Sequence, residues 1–214
     1  MPKINILPEN VANQIAAGEV INRPSSCVKE MMENSLDAGA ENINVRVIGA
    51  GKKLIEVADD GAGMSADDME LAFVRHATSK IREISDLNYI ETMGFRGEAL
   101  ASIASVARVE MISREKETAE ANMLCLEAGR VVKREKTAAN AGTIIKVRDL
   151  FYNTPARLKF LKSDYTENAS ITEVVTAIGL SAEGVSIKLE LDGREALFLP
   201  KAAGLKERIR IIFG

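Results

Sequence analysis

The sequence contains no tryptophan, a single histidine and two cysteines among its 214 residues. One histidine, His76, disfavours a histidine-based metal site and a Ser-His-Asp triad, because both depend on well-placed imidazoles. Cys27 and Cys125 are far apart in the chain and form no C-x-x-C pattern. The cysteines therefore indicate reduced thiols in a reducing compartment rather than a disulfide framework.

Long hydrophobic runs are also missing. No stretch of about 18 apolar residues is present, so we expect no membrane span and no membrane partner. The first residues, MPKINILPEN, contain one lysine and no unbroken apolar run, which argues against a signal peptide. With 46% hydrophobic residues, the chain is long enough for one large domain. We expect a soluble cytoplasmic protein.

The net charge of −3 is distributed unevenly. Residues 1–107 contain 10 Lys and Arg against 16 Asp and Glu, whereas residues 108–214 contain 18 against 15. An acidic half is a poor generic binder of polyanions. If this half binds a phosphate ligand, it must use a metal ion, backbone amides or a few placed cations.

The pattern of elements favours a two-layer α/β sandwich of the α+β type, with helices on one face of a mixed, largely antiparallel sheet. The strongest helix is RPSSCVKEMMENSLDAGA, which has a start signal at Pro24 and a stop at Gly39. ENINVRVI and KKLIEVADD alternate in polarity and predict a hairpin joined by GAGK. That turn is not a P-loop, because Lys52 is followed by Lys53 instead of Ser or Thr. SADDMELAFVRHA predicts a short helix with Ser65 as its N-cap. Later segments are mostly strands, and the last two form a second hairpin.

One face of the predicted helix carries polar side chains. Glu30, Asn34 and Asp37 fall within roughly 60° of one another on a helical wheel. Periodicity alone favours a solvated face for these residues and for Glu33. Asn is, however, a poor helix former, and its amide oxygen can bind a hard cation. A glutamate one turn earlier can polarise a water molecule.

A second candidate constellation is IEVADDGAGM, where a strand ends at Asp59 and Asp60 and two glycines follow. Gly61 and Gly63 can take positive φ and allow a flat ligand to approach the backbone. A carboxylate at a strand end can accept a hydrogen bond from an exocyclic amine. The alternative interpretation is a simple acidic turn.

Polar and glycine-rich segments supply candidate phosphate contacts. RHATSKI offers two hydroxyls and a cation, and MGFRGEALASI places glycines just before a helix start, where backbone N–H groups bind anions. The stretch 75–97 between them is polar and broken, and is a candidate mobile loop. AGTIIKV adds Thr143 at a strand start, where plain β-propensity is the alternative. The phosphate candidates are Thr78, Ser79, Lys80, Gly94, Phe95, Arg96 and Gly97, with the backbone of Glu98, Ala99 and Leu100.

The motifs follow one another as Glu-x-x-x-Asn on a helix, Asp-x-Gly-x-Gly, a lid that ends in a glycine patch, and a Gly-Thr strand. In this order they resemble the GHKL ATPase superfamily, which includes the gyrase B subunit, the large heat-shock chaperone, histidine kinases and MutL. The strings NQIAAGEV, KEMMENSLDAGA, RHATSKI, GFRGEALASI and FYNTPARLKFL look like the N-terminal ATPase domain of the MutL DNA mismatch-repair proteins, and the compact start looks bacterial. A gyrase-type lid would end in a denser glycine patch than GFRGEAL.

The resemblance implies roles for individual residues. Glu30 corresponds to the general base and Asn34 to the ligand of Mg²⁺. Asp59 corresponds to the residue that reads the adenine amine, with Gly61 and Gly63 beside the base. Thr143 supports the adenine contact through its hydroxyl and a water molecule. The phosphate candidates named above correspond to the lid and glycine patch that hold ATP.

Two departures from the family pattern stand out. Asp60 occupies a position where the family usually has Asn, and two adjacent carboxylates can raise one pKa. The family also takes a γ-phosphate lysine from a following transducer domain, and the chain stops at Gly214 where that domain should begin. We therefore expect residues 1–214 to be a single GHKL-type ATP-binding domain, with its lid at about 75–97, and a fragment of a longer protein.

The implied function is Mg²⁺-dependent ATP binding and slow hydrolysis in DNA mismatch repair. ATP would order the lid and the N-terminal segment, creating a homodimer that binds DNA without sequence preference and engages mismatch-recognition and downstream repair proteins. The fragment itself is expected to hydrolyse ATP weakly or not at all. The alternatives are a gyrase-B-like topoisomerase module, a nucleotide-holding DNA- or partner-binding domain without turnover, and an α/β domain that binds no nucleotide.

Overall fold

The computed structural model describes residues 17–78 and 97–214. Within these ranges the strands form one eight-stranded sheet, in the order β5-β4-β3-β6-β2-β1-β7-β8. Only the β1–β7 pair is parallel there. The strands are β1 (Asn42–Ile48), β2 (Leu54–Asp59), β3 (Arg108–Arg114), β4 (Ala121–Glu127), β5 (Arg130–Thr137), β6 (Gly142–Arg148), β7 (Ser186–Leu191) and β8 (Arg194–Leu199).

Six complete helices are described, and residues 17–20 are helical as well. No helix in 17–78 or 97–214 has the length and apolar character needed to cross a membrane. The predicted mixed, largely antiparallel sheet with helices is confirmed. The helices are α1 (Pro24–Asp37), α2 (Ala66–Leu71), α3 (Ala99–Val106), α4 (Pro155–Phe160), α5 (Asp164–Ser181) and α6 (Leu205–Phe213).

Helix α1 follows its sequence signals at both ends. Pro24 occupies the first turn, where its missing N–H costs no helical hydrogen bond. Gly39 has φ of 71°, a left-handed conformation that ends the helix and turns the chain towards β1. The helix packs on α5 and β2. Its buried face carries Cys27, Val28, Met31, Met32 and Ser35.

The first hairpin also forms as predicted, with β1 and β2 antiparallel. Ile43, Val45 and Val47 alternate with exposed residues along β1, so one face of the strand joins the core. The GAGK segment is the turn between the strands. Gly51 there has φ of 82°, and a Cβ at this position would lie 2.6 Å from the Cβ of Pro24.

Some boundaries differ from the sequence expectation. Helix α2 ends at Leu71, before the end of the string SADDMELAFVRHA over which a short helix was predicted. Its N-cap is Ser65 as predicted, and the Ser65 hydroxyl accepts a hydrogen bond from the Asp68 amide at 3.2 Å. Helix α3 begins at Ala99, two residues after Gly97.

Candidate functional site

A cleft of about 1030 Å³ opens beside α1, the end of β2 and the start of α3. Most of the sequence-predicted site residues that the structure describes line it. Gly61 is not among the lining residues, and Ser79, Lys80, Gly94, Phe95 and Arg96 lie outside the described residues. The lining candidates are Glu30, Asn34, Asp59, Gly63, Thr78, Gly97, Glu98, Ala99, Leu100 and Thr143.

Asp59 ends β2 and is held by three hydrogen-bond donors. The Ser35 hydroxyl lies 2.8 Å from Oδ2, and the backbone N–H groups of Gly61 and Thr143 donate to Oδ1 at 2.9 Å and 3.3 Å. Gly61 therefore acts on the site through its backbone. With both oxygens bonded, the carboxylate has a fixed orientation at the cleft wall.

The carboxylate belongs to a row of side chains across three strands. Asp59 on β2 is directly opposite Thr143 on β6, which is directly opposite Ser113 on β3. The Ser113 and Thr143 hydroxyl oxygens lie 2.9 Å apart, and the Met64 amide donates to Ser113 at 2.9 Å. Since Ser113 is fully buried and Thr143 is 6% exposed, the row fixes both the strand ends and the glycine turn.

Sequence reasoning missed Ser35 and Ser113. The signal for Ser113 was present, because Val109, Met111 and Ser113 are the inward positions of β3 and a serine interrupts an apolar alternation. Ser35 lies on the buried face of α1, among apolar side chains. A hydroxyl buried on an otherwise apolar face needs a polar partner, and for Ser35 that partner is Asp59.

The adjacent carboxylates of Asp59 and Asp60 have opposite pKa shifts. Burial raises the pKa of Asp59 above its ordinary 3.8, the three donors lower it, and the negative charge of Asp60 is a smaller raising influence. Partial burial works against ionisation of Asp60 too, but hydrogen bonds from Asn42 and Glu41 lower its pKa overall. Asp60 accepts the backbone N–H groups of both residues at 2.8 Å, so it anchors the start of β1.

Two glycines allow close backbone contacts beside Asp59. Gly63 has φ of 74°, and a Cβ there would lie 2.1 Å from the Arg114 carbonyl oxygen. Gly142 has φ of 115°, and its Cβ would lie 2.0 Å from the Asp59 carbonyl oxygen. Both contacts are impossible for any other residue without backbone movement. The glycines therefore bring the turn and β6 tightly against the carboxylate.

The other end of the cleft is formed by the start of α3. Its N-cap Glu98 makes no side-chain capping bond, and the helix provides its first-turn amides at the cleft. The chain before and after segment 79–96 is held together here, since the His76 amide donates to the Gly97 carbonyl at 3.0 Å. Gly97 packs on Ala77, where a Cβ would lie 2.4 Å from the carbonyl oxygen.

The polar face of α1 is not a plain solvated stripe. Glu30, Asn34 and Asp37 line the cleft, whereas Glu33 is 4% exposed and pairs with Lys29 at 2.9 Å. The expectation of a solvated Glu33 is wrong, because its carboxylate is buried with an ammonium partner.

The donor set fits Mg²⁺ bound together with phosphate oxygens. In the described part of the chain, no group of three or more His, Cys, Asp or Glu side chains could hold a metal ion alone. Asn34 places a neutral amide in the cleft, one helical turn after Glu30. Mg²⁺ commonly takes one or two protein ligands and completes its octahedron with substrate phosphates and water.

Comparison with known proteins agrees with this geometry. Residues 22–148 match the family described as histidine kinase-, DNA gyrase B- and HSP90-like ATPase. The whole chain is 49% identical to the DNA mismatch repair protein MutL of Solibacter usitatus and 46% identical to that of Neisseria meningitidis serogroup A. It spans 32% of the length of each of these relatives.

Solved structures show the same relationship. The Aquifex aeolicus MutL ATPase domain complexed with ADP is 34% identical, with a TM-score of 0.74 over 91% of this chain and 70% of that one. The N-terminal domain of a DNA repair protein is 28% identical, with a TM-score of 0.79 over 98% and 62%. The chain belongs to the histidine kinase-, DNA gyrase B- and HSP90-like ATPase family and, within it, to the MutL ATPase domains.

Proposed function

We propose that the chain binds ATP with Mg²⁺ and hydrolyses it to drive a step of DNA mismatch repair. The observation that carries this proposal is the Asp59 carboxylate, fixed by three donors at one end of a cleft whose other end is a helix N-terminus. A carboxylate accepts a hydrogen bond from the exocyclic amine of adenine, and backbone N–H groups at a helix N-terminus donate hydrogen bonds to phosphate oxygens. ADP in the related Aquifex aeolicus domain supports the same ligand class.

Each cleft residue has a defined role in this proposal. Glu30 activates the attacking water as general base, and Asn34 would hold Mg²⁺, which neutralises phosphate charge. Asp59 accepts the adenine amine, while Gly61 and Gly63 bring the backbone close to the base. Thr143 supports the base through its hydroxyl, which its bond to Ser113 orients.

The phosphates lie against the start of α3 and against the residues that flank segment 79–96. The backbone of Gly97, Glu98, Ala99 and Leu100 supplies N–H donors, and Thr78 adds a hydroxyl. Ser79, Lys80, Gly94, Phe95 and Arg96 complete this group by resemblance. The hydrogen bond between the His76 amide and the Gly97 carbonyl holds together the residues that flank segment 79–96. ATP can therefore reorder that segment without moving α3 or the sheet.

The wider role belongs to a longer protein. We propose that residues 1–214 are the ATP-binding domain of a full-length MutL protein, since the chain spans about a third of its curated relatives. ATP binding orders the lid and the N-terminal segment and closes a homodimer. That dimer binds DNA without sequence preference and connects mismatch-recognition proteins to downstream repair proteins in the cytoplasm.

Calorimetric titration with a non-hydrolysable ATP analogue tests nucleotide binding directly. We expect saturable binding by the chain that is strengthened by Mg²⁺, and Asn34→Ala should remove the Mg²⁺ dependence while leaving the protein folded. Turnover by the full-length protein should be lost in Glu30→Ala with affinity retained. Absence of nucleotide binding by the wild-type chain would overturn the proposal, and unchanged turnover in Glu30→Ala would leave a nucleotide-holding domain instead.

A further inference from the structure

The C-terminal end of α3 is held by hydrogen bonds from other parts of the chain. The last carbonyls of a helix have no partner within the helix, so they need donors from elsewhere. Three consecutive carbonyls of α3 each accept such a bond, at distances of 2.7–2.9 Å. The donors are the Gly129 amide for Ala104, the Nδ2 group of Asn153 for Ser105 and the Phe151 amide for Val106. None of these six residues lines the cleft, so their effect on a ligand in the cleft is indirect.

Two of the three donors belong to a turn that is itself tightly fixed. The turn, residues 149–154, connects β6 to α4. Phe151 is fully buried in it with φ of 68°, a left-handed conformation that is rare for a bulky side chain and persists only where the surrounding contacts determine it. The Thr154 amide donates to the Phe151 carbonyl at 2.9 Å, and the Leu150 amide donates to the Lys52 carbonyl at 3.2 Å. The turn is therefore anchored to the core and to the first hairpin, and it offers its donors to α3 from a fixed position.

Asn153 makes the one bond of the three that a side chain provides. The side chain is half-buried, and its Oδ1 oxygen is buried without a hydrogen-bond partner among the described residues. Turning the amide over would place that oxygen against the Ser105 carbonyl oxygen, so the donor Nδ2 must face the helix. The Ser105 hydroxyl is engaged within α3, because it donates to the Ser102 carbonyl at 2.8 Å. Asn153 therefore acts on α3 as a hydrogen-bond donor, and a substitution can remove that donor.

Strand β6 relates this turn to the base end of the cleft. Thr143, whose amide donates to Asp59, lies near the start of β6, and the turn follows the end of the same strand at Arg148. Helix α3 runs from the phosphate end of the cleft, where it provides its first-turn amides, to this turn. With eight residues, α3 is a rod of about 12 Å, so a shift of its C-terminal end moves these amides by a similar distance. Hydrogen bonds to phosphate oxygens weaken steeply when the N–H groups are misaligned.

We propose that Asn153 is a positioning residue, which sets the phosphate-binding amides of α3 at a fixed distance from the base site by holding the helix to the turn after β6. This inference rests on the proposed nucleotide binding and adds to it a contact that couples the two ends of the cleft. The base bound by Asp59 and the phosphates bound by α3 belong to one ligand, so both ends of the cleft must keep their spacing for ADP to bind tightly. Adenosine lacks the phosphates and does not depend on this spacing.

Asn153→Leu tests the inference, because it keeps the approximate shape of the side chain and removes the donor. The affinity of the chain for ADP with Mg²⁺ should fall about tenfold, whereas the affinity for adenosine should change less than about twofold. Calorimetry measures the first affinity, and an NMR titration measures the second because it also reports weak binding. Hydrogen exchange should show the cause directly, with the amides of residues 102–106 exchanging at least about tenfold faster in the ligand-free variant. If this variant does not fold, Asn153→Ala replaces it.

The matched control is Ser181→Ala, which removes a side-chain donor from the C-terminal end of another helix. The Ser181 hydroxyl donates to the Ile178 carbonyl of α5 at 2.9 Å, and Ser181 lies outside the cleft lining. This variant should leave both affinities within about twofold of the wild type. A purely structural role for Asn153 predicts the same result as for this control, or an equal loss of ADP and adenosine binding where the fold as a whole is weakened.

The outcomes separate this inference from the function on which it rests. Absence of ADP binding by the wild-type chain would refute nucleotide binding and the positioning role together. Where the wild type binds ADP, an unchanged ADP affinity in Asn153→Leu, or equal losses for ADP and adenosine, would overturn the positioning role alone. Unchanged exchange across residues 102–106 would do the same, because it would show that the Asn153 amide does not hold α3.

Discussion

If Asp59 binds the adenine base as proposed, replacing it with Asn should weaken recognition of the base while keeping the local hydrogen bonds. The amide oxygen can take the place of Oδ1, so the Gly61 and Thr143 amides keep an acceptor. The amide nitrogen then faces Ser35, whose hydroxyl can accept from it and donate to the Met31 carbonyl oxygen at 3.1 Å. Every bond that holds the side chain therefore survives, with one reversed in direction.

The effect on nucleotide binding should be much larger than the effect on folding. An adenine amine that meets an amide N–H loses a charge-assisted hydrogen bond and leaves two donors opposed, which costs about 2–4 kcal/mol. That cost corresponds to a loss of affinity between about 30-fold and about 1000-fold. Replacing charge-assisted bonds weakens the fold, but removing a buried charge strengthens it, so the free energy of unfolding should change by less than about 1 kcal/mol.

Calorimetric titration with ADP, alongside chemical denaturation, measures both quantities. Asp60→Asn is the matched control, since it makes the same chemical change one residue later, at a carboxylate that binds the start of β1. It should leave ADP affinity within about twofold of the wild type. Undiminished binding by Asp59→Asn, or an equal loss in Asp60→Asn, would refute the assignment of Asp59 to the base.

The two carboxylates should also differ in how pH changes stability. Because the folded-state pKa of Asp59 is raised above 3.8, its ionisation opposes folding as pH rises through that raised value. The difference in free energy of unfolding between Asp59→Asn and the wild type should therefore shift in favour of the variant between pH 3.8 and neutral pH. The pKa of Asp60 is lowered from 3.8, so its contribution to stability is present above that value and is lost as pH falls through the lowered one. Asp60→Asn should therefore cost more at neutral pH than in acid, which denaturation at several pH values will show.

Two further predictions concern backbone contacts and a buried cation. Gly63→Ala should abolish ADP binding, because its Cβ would collide with the Arg114 carbonyl oxygen. Gly184→Ala is the control: Gly184 has φ of 81° but open space around it, so this variant should lower only the melting temperature. Equal ADP binding by both variants would show that the close backbone contact at Gly63 is not needed for binding. Arg208→Met should lower the free energy of unfolding by about 3–5 kcal/mol, because the fully buried guanidinium donates to the carbonyls of Ala203, Gly179, Val185 and Pro200. A loss below 1 kcal/mol in denaturation would show that these carbonyls find other donors.

Local signals predicted the elements that carry the site. Pro24 and Gly39 bracket α1, Ser65 caps α2, and alternating polarity defines the first hairpin. Such features are predictable because each depends on residues within one turn or one strand. The end of α2 at Leu71 could not be predicted in this way. The helical sequence pattern continues to Ala77, but the folded chain leaves the helix earlier.

Contacts between distant segments were not predictable from the sequence alone. The row formed by Asp59, Thr143 and Ser113 depends on the register of three strands, and Asp59 and Thr143 are 84 positions apart. Nothing in the local pattern of β3 says which residue of β6 it faces. The burial of Glu33 could not be predicted for the same reason. A helical wheel places Glu33 on a polar face but does not show where the neighbouring elements pack.

The two ends of the cleft are held by different kinds of contact, and this difference decides what each can do. The base end consists of side chains in paired strands, with Ser113 fully buried, so its geometry is set when the sheet forms. The phosphate end relies on helix amides and on the joint between His76 and Gly97. Under the proposed function, a preformed base site would bind nucleotide first, and the γ-phosphate would then act at the other end of the cleft. We therefore expect the affinity for adenosine to depend on the sheet, and the response to ATP to depend on the His76–Gly97 contact. A nucleotide-gated switch requires that binding and response depend on different parts of the site in this way.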